Sequence, residues 1–372
     1  WAVYALKQLA DNDENCVAIA REGGIPPLVA LLQAGTTEQS EEAACALAYL
    51  AYNNPSNRVM IAREGAIPPL IALIREGTDD QKMYAAFALG NLSIENEENS
   101  EAIGREGAIS PLVALLRNEL DDLKQFAAYA LGSLAGTNEW NRTEMGREDA
   151  ISPLVGLLGA ASDEQKEYAV MALANLATGN SANIKKIVRE GAISPLVALL
   201  QEGRDQQKQL AACALANLAS DSGENRAAIT SEKAISPLAA LLRAGTDGQK
   251  EAAARALGNL AIQSKANSTA IVREGAVSSL VGLVRTGTNL HKEWAAFALV
   301  QLADSNDENR VAIAKEGAIS PLVKLERTGA GQQKRYAKFA LENLAKNNAI
   351  AVLFALERVS SRRPLQRTRF QM

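Results

Sequence analysis

The chain has 372 residues, 47% of them apolar and only 4% aromatic, and its formal net charge is −4. So small a charge argues against a dedicated nucleic-acid or anionic-membrane surface, each of which needs a concentrated basic face. An apolar fraction made mostly of Ala and Leu suits closely packed helices.

The dominant signal is internal repetition. The phrase Arg-Glu-Gly-Ala-Ile-Ser-Pro-Leu-Val recurs with small changes, its first residue at Arg21, Arg63, Arg105, Arg147, Arg189, Ser231, Arg273 and Lys315, always 42 residues apart. A second phrase, x-Ala-Leu-x-Asn-Leu-Ala, keeps the same interval, with its fifth position at Tyr49, Asn91, Ser133, Asn175, Asn217, Asn259, Gln301 and Asn343. In chain order, 1–10 reads as the third helix of a truncated repeat and 11–345 as eight complete three-helix units. Residues 346–359 read as a degenerate capping helix (apolar from Ala349 to Leu356), and 360–372 as a flexible basic tail with Arg362, Arg363, Arg367 and Arg369.

The unit 136–177 shows the local logic. A short first helix is predicted from about Trp140 to Arg147. Ser152-Pro153 is predicted to open the second helix, Ser as N-cap and Pro at the first helical position, where a missing N–H costs nothing. After Ala161-Ser162-Asp163 a longer third helix runs to about Ala177, with Ala169, Ala172, Leu173 and Leu176 on its buried face. Between first and second helices, Gly23, Gly65, Gly107, Gly191, Gly275 and Gly317 suit a left-handed turn. Asp149 and Lys233 break that column, which predicts strain or a different turn there.

The motifs Gly-Ala-Ile-Ser-Pro-Leu-Val-Ala-Leu-Leu (107–116) and Ala-Leu-Gly-Asn-Leu (88–92), held over residues 1–345, resemble those of the armadillo family. The resemblance implies an all-α fold, a right-handed solenoid whose third helices line a concave groove. It also implies that the Asn of each Ala-Leu-x-Asn-Leu faces that groove and hydrogen-bonds the backbone of an extended peptide. That ladder is Asn91, Asn175, Asn217, Asn259 and Asn343, with Gln8 and Gln301 as longer amides and Tyr49 and Ser133 interrupting it. Hydrogen bonding at helix ends or between repeats is the alternative use for these amides.

Positions four and seven before the ladder share its helical face. Together with the ladder they comprise 27 of 372 positions yet hold 12 of the 16 aromatic residues, among them Trp1, Tyr4, Tyr49, Tyr84, Phe87, Phe126, Tyr129, Tyr168, Trp294, Phe297, Tyr336 and Phe339. Leu210, Cys213, Ala252 and Arg255 make a gap. The concentration points to a partner-binding surface, with packing inside the molecule as the other reading. An extended ligand would use two or three residues per repeat, and aromatic faces favour apolar, Pro, Arg or Lys side chains. Importin-α-like carriers of basic nuclear-localisation peptides pair the ladder Asn with Trp four residues earlier. This chain has Phe87, Met171, Cys213, Arg255 and Phe339 there, and apart from Arg255 its groove columns lack the basic residues of a β-catenin-like groove.

A Gln-Lys pair opens most third helices (81–82, 165–166, 207–208, 249–250, 333–334, with His291-Lys292 in the same place) and reads as a solvated edge or a contact for an acidic partner. The single His291 stands in no catalytic constellation, and no phosphate-binding Gly loop occurs, so neither catalysis nor a cofactor or metal is expected. Cys16, Cys45 and Cys213 lack paired or metal-ligand spacing and read as free thiols of a reducing compartment, cytoplasmic or nuclear. No apolar run is long enough to span a membrane. Sequons at Asn91, Asn141 and Asn267 read as chance matches. The chain opens at Trp1 inside a repeat, so any targeting segment is expected to lie before it. The expected function is a non-enzymatic scaffold for a peptide in the groove. A structural spacer, and self-association through the basic tail, are the other possibilities.

Overall fold

The computed structural model describes residues 9, 12–159 and 162–347. The expected capping helix and basic tail, like Trp1, Tyr4 and Gln8, lie outside the described residues apart from Lys346 and Asn347. The described residues form eight consecutive triplets of α-helices, with no strand among them. The chain divides into two units, 1–195 and 196–372. In the first, the third helices Thr37–Ala51, Asp79–Ser93, Asp121–Thr137 and Asp163–Leu176 pack side by side in chain order. In the second, Asp205–Asp221, Asp247–Ala261, Asn289–Ser305 and Gly331–Ala345 do the same.

Third helices bury small side chains on several faces, against the second helix of the same repeat and against neighbouring third helices. In Thr37–Ala51, for example, Ala43, Ala44, Ala46 and Ala48 are wholly buried together with Leu47 and Leu50. Alanine lets neighbouring backbones approach, while the leucines fill the space toward the second helices. Glycine is needed where even a methyl group would collide. A Cβ on Gly90 would lie 2.7 Å from the Tyr129 ring of the next repeat, and one on Gly258 would lie 2.7 Å from the Phe297 ring.

First helices start on a side-chain cap, as where Asn54 accepts from the Asn57 N–H at 3.0 Å. They end in the expected left-handed turn, with φ between 73° and 81° at the six column glycines. Asp149 and Lys233 adopt the same turn, at φ 61° and 64°, so these repeats keep the geometry and bear its strain. The second helix starts two residues earlier than expected. It begins at Ile151, with Ala150 in the N-cap position in αR geometry and no side-chain cap. Ser152 is therefore not the cap, and Pro153 sits within the first turn, where no N–H partner is required.

The Gln-Lys columns also differ from the solvated-edge reading. The Gln side chains are buried: Gln81, Gln165, Gln207, Gln249 and Gln333 are all under 9% exposed. Gln81 Oε1 accepts from the Thr78 N–H at 2.8 Å, closing a capping box, while its Nε2 donates 3.1 Å to Thr37 O of the preceding repeat. Gln165, Gln249 and Gln333 donate to the carbonyls of Asp121, Asp205 and Asn289 in the same way. His291 substitutes for Gln atom by atom. Its Nδ1 accepts from the Thr288 N–H, so the proton sits on Nε2 and is donated to Asp247 O at 2.8 Å.

Candidate functional site

The ladder amides are spent largely between repeats. Asn91 Nδ2 donates 2.9 Å to Ala48 O, and Asn175 Nδ2 donates 2.9 Å to Gly132 O. In the second unit Asn259 Nδ2 reaches Ala216 O at 2.8 Å, and Asn343 Nδ2 reaches Val300 O at 3.2 Å. The amide oxygens differ. The residue four before the ladder in the following repeat meets them, so Tyr129 OH donates to Asn91 Oδ1 and Arg255 Nη2 donates to Asn217 Oδ1. At Asn259 the equivalent residue is Phe297, which has no donor. Asn91, Asn217 and Asn259 are buried, whereas Asn175, Gln301 and Asn343 are half-buried. The amide N–H groups therefore hold neighbouring repeats together, and any peptide backbone would have to use the oxygens left over.

The aromatic residues form one connected row in each unit. In the first, Tyr49 meets Phe87 edge-on at 5.9 Å between centroids. Phe87 then contacts Phe126 at 5.4 Å and Tyr129 at 5.7 Å, and Tyr129 contacts Tyr168 at 5.1 Å. In the second, Trp294, Phe297 and Tyr336 are joined at 5.9 and 5.3 Å. Arg255 lies 5.3 Å over the Trp294 ring, and Arg335 lies 5.8 Å over Phe339. Tyr49, Tyr84, Phe87, Phe126, Tyr168, Trp294, Phe297 and Tyr336 are half-buried, and Phe339 is exposed. Tyr129 departs from the expected surface stripe: it is 9% exposed, and burial pushes its phenol pKa upward. The rows thus combine packing between repeats with accessible ring surface.

A family model described as Armadillo/beta-catenin-like repeat matches residues 12–52, 54–94 and 180–220. The crystal structure of an engineered protein is similar at 31% identity, covering 96% of this chain and 87% of that one with a TM-score of 0.82. A crystal structure of computationally designed armadillo repeat proteins for modular peptide recognition is 30% identical, covering 63% of this chain and 99% of its own, with a TM-score of 0.57. The chain belongs to the armadillo-repeat family. A third solved structure, a designed armadillo repeat protein in complex with the peptide (KR)4, is 29% identical over 63% of this chain and 99% of its own, with a TM-score of 0.57. No curated protein matches.

Within this armadillo solenoid a second asparagine ladder went unread in the sequence. Asn57, Asn99, Asn141 and Asn183 recur every 42 residues in the first helices of unit 1–195. Each Nδ2 donates both to a carbonyl seven residues back and to one in the preceding repeat: Asn57 to Leu50 O at 2.9 Å and Cys16 O at 3.2 Å, Asn99 to Leu92 O at 2.9 Å and Arg58 O at 3.2 Å. The constant interval was a sufficient signal for it. Beside this ladder, Arg58 and Arg142 donate to the last-turn carbonyls of Ala51 and Ala135, as Arg226 and Arg310 do to Ala219 and Ala303 in the second unit. Tyr52, 47% exposed and 6.5 Å from Phe87, extends the aromatic surface of the first unit and lies outside the columns that revealed the rest. Buried Asn91, Asn141 and Asn267 cannot serve as glycan acceptors in the folded chain. Among the described residues no group of three His, Cys, Asp or Glu could hold a metal, and no helix is long and apolar enough to cross a membrane.

Proposed function

We propose that this armadillo protein is a non-enzymatic interaction scaffold whose third-helix face holds an extended segment of a protein partner. The observation that carries the reading is the pair of aromatic rows, in which half-buried rings are braced by their neighbours yet keep accessible faces. Rings held in place lose little side-chain entropy on binding, which is what makes aromatic anchors effective. The site residues are Tyr49, Tyr84, Phe87, Phe126 and Tyr168 in one unit, and Trp294, Phe297, Tyr336 and Phe339 in the other. The accessible amide oxygens of Asn175 and Asn343, and the amide of Gln301, are available to a peptide backbone. The designed relative that binds (KR)4 supports a ligand with cationic side chains laid over the rings. Arg255, within the gap in the columns, donates to Asn217 and lies over Trp294, and its remaining guanidinium donors are available to the partner. The ring-to-ring packing favours one other reading, in which the rows only stiffen a spacer.

A peptide array probed with the intact chain and with a Tyr84→Ala/Phe126→Ala variant separates the two. Both residues are half-buried and neither belongs to the hydrogen-bond ladders, so helicity should persist by circular dichroism. Peptides bound by the intact chain and weakened tenfold or more in the variant are the expected result. Equal binding by both proteins, or no binding by either, would leave the spacer reading.

A further inference from the structure

The repeat register gives this protein internal controls, and one recess departs from them. A cavity of about 150 Å³ lies where the second helices Ala276–Thr286 and Ile319–Thr328 meet the first turn of the third helix Asn289–Ser305. Three cations line it: Arg285, Lys292 and Lys324. Among the described residues none of the three cationic side chains has a hydrogen-bond or ion-pair partner. Asn289 and Gln333 complete the polar wall, with the Gln333 amide held on Asn289 O at 2.9 Å.

The same recess recurs two repeats earlier in the same unit, lined by the residues 84 positions back. There Gln201 stands for Arg285, Asp205 for Asn289, Lys208 for Lys292, and Ala240 for Lys324. That recess holds a carboxylate, and Asp205 Oδ1 accepts from Gln249 Nε2 at 3.1 Å. The position of Asn289 is Asp in five of the other repeats, at 79, 121, 163, 205 and 247. Where Asp121 occupies it, the carboxylate engages Lys124, the counterpart of Lys292, at 3.0 Å. The position of Arg285 is elsewhere structural: Arg75, Arg117 and Arg243 donate to the turn carbonyls of Gly107, Asp149 and Glu274 at 3.1–3.2 Å, a bond that Arg285 does not make. One recess has therefore lost its carboxylate and gained a third cation, and its arginine, whose Nη2 still lies beside the Gly317 turn, makes no hydrogen bond there.

We infer that the recess formed by Arg285, Lys292 and Lys324 binds a phosphate-type oxyanion, either free or carried as a phosphate monoester. A guanidinium fork with two ammonium groups matches the geometry and charge of a phosphate dianion, and the Asn289 amide supplies a neutral donor at the rim. The absence of a competing carboxylate removes the internal counter-ion that would otherwise satisfy these cations. The inference does not draw on the aromatic rows.

Titration calorimetry of the full chain in a chloride-matched, phosphate-free buffer tests it, with inorganic phosphate and N-acetyl-phosphoserine amide as probes. Saturable one-to-one binding of at least one probe is expected, weakened tenfold or more by Arg285→Gln/Lys324→Ala, which installs the residues that the earlier recess has at these two positions. Phosphoserine binding tenfold tighter than inorganic phosphate would assign a phosphorylated chain as the source, and the reverse or parity a free ion. If the double variant loses helicity, Asn289→Asp replaces it, since Asp is accommodated at that position in other repeats, and the same tenfold loss is expected. No saturable binding to the unaltered chain, or binding unchanged in the folded variant, overturns the assignment.

Discussion

Replacing Asn91 by alanine should destabilise the interfaces on both sides of its helix. Asn91 is wholly buried, its Nδ2 donating 2.9 Å to Ala48 O and its Oδ1 accepting from Tyr129 OH. Losing two hydrogen bonds costs about 1 kcal/mol each, net of water. The two orphaned partners fare differently. Ala48 O keeps the Tyr52 N–H at 3.1 Å, whereas the Tyr129 hydroxyl, on a residue 9% exposed, keeps only the Ser133 side chain as a hydrogen-bond partner and carries an added desolvation cost of about 1 kcal/mol. The expected total is about 2–4 kcal/mol, concentrated in the repeats that contribute these helices because each repeat contacts only its neighbours. Urea unfolding followed by circular dichroism, with hydrogen exchange of the amides in 79–93, measures it. Tyr129→Phe supplies the control: in the double variant no hydroxyl is left short of a partner, so the two losses should fall short of additivity by about 1 kcal/mol. Asn175→Ala, at a half-buried site with one inter-repeat bond, should cost only about 1 kcal/mol. An Asn91→Ala chain within 0.5 kcal/mol, roughly, of the parent would refute the reasoning, because a net hydrogen-bond contribution could not then be operating here.

Three further outcomes follow from the turns and close contacts. Lys233→Gly should stabilise the chain by about 1 kcal/mol by relieving a non-glycine residue at φ 64°, read as a raised melting temperature. Asp149→Gly relieves the same strain but loses the carboxylate contacts to Lys186 at 2.7 Å and Arg117 at 3.1 Å, worth under about 1 kcal/mol on a side chain half exposed to solvent. The Lys186 hydrogen bond, against the opposing effect of burial and aided by the Lys186 and Arg117 charges, holds the Asp149 carboxyl below the usual carboxylate range. A depressed pKa means that its stabilisation is complete above about pH 4 and is lost as the pH falls further. Asp149→Gly should therefore match the parent near neutrality and gain on it toward pH 3, and an advantage that shrinks on acidification would contradict this. Gly258→Ala should cost about 1–3 kcal/mol by thermal or urea unfolding, since its new methyl group would start 2.7 Å from the Phe297 ring.

The helical unit and the turn glycines were readable because each is a local property recurring at a fixed interval. Thirteen-atom helical rings, caps and left-handed turns depend on residues within a few positions of one another. Local rules alone place the start of the second helix two residues late, as at Ser152, because the first–second helix junction continues from Ala150 without a side-chain cap. The candidate site was legible as a column of aromatics, but not as a set of contacts. Tyr129 and Phe339 occupy the same column, yet one is 9% and the other 40% exposed. Tyr129 is covered by ring neighbours on either side, and nothing in a helical projection reveals that.

What the sequence alone determined is periodic: a 42-residue unit, its helices, and which residues share a helix face. What only the tertiary structure decided is where each polar column spends its hydrogen bonds. The Gln, His291 and Asn side chains look solvent-facing or ligand-facing along one helix. Yet the carbonyls they meet lie 41, 43 or 44 residues earlier, across the gap between repeats. A buried amide must find a partner, and in a stack of near-identical units a carbonyl with a spare lone pair lies within reach in the neighbouring repeat. That distance is invisible to any window on the chain and is set by how closely alanine and glycine let the helices pack.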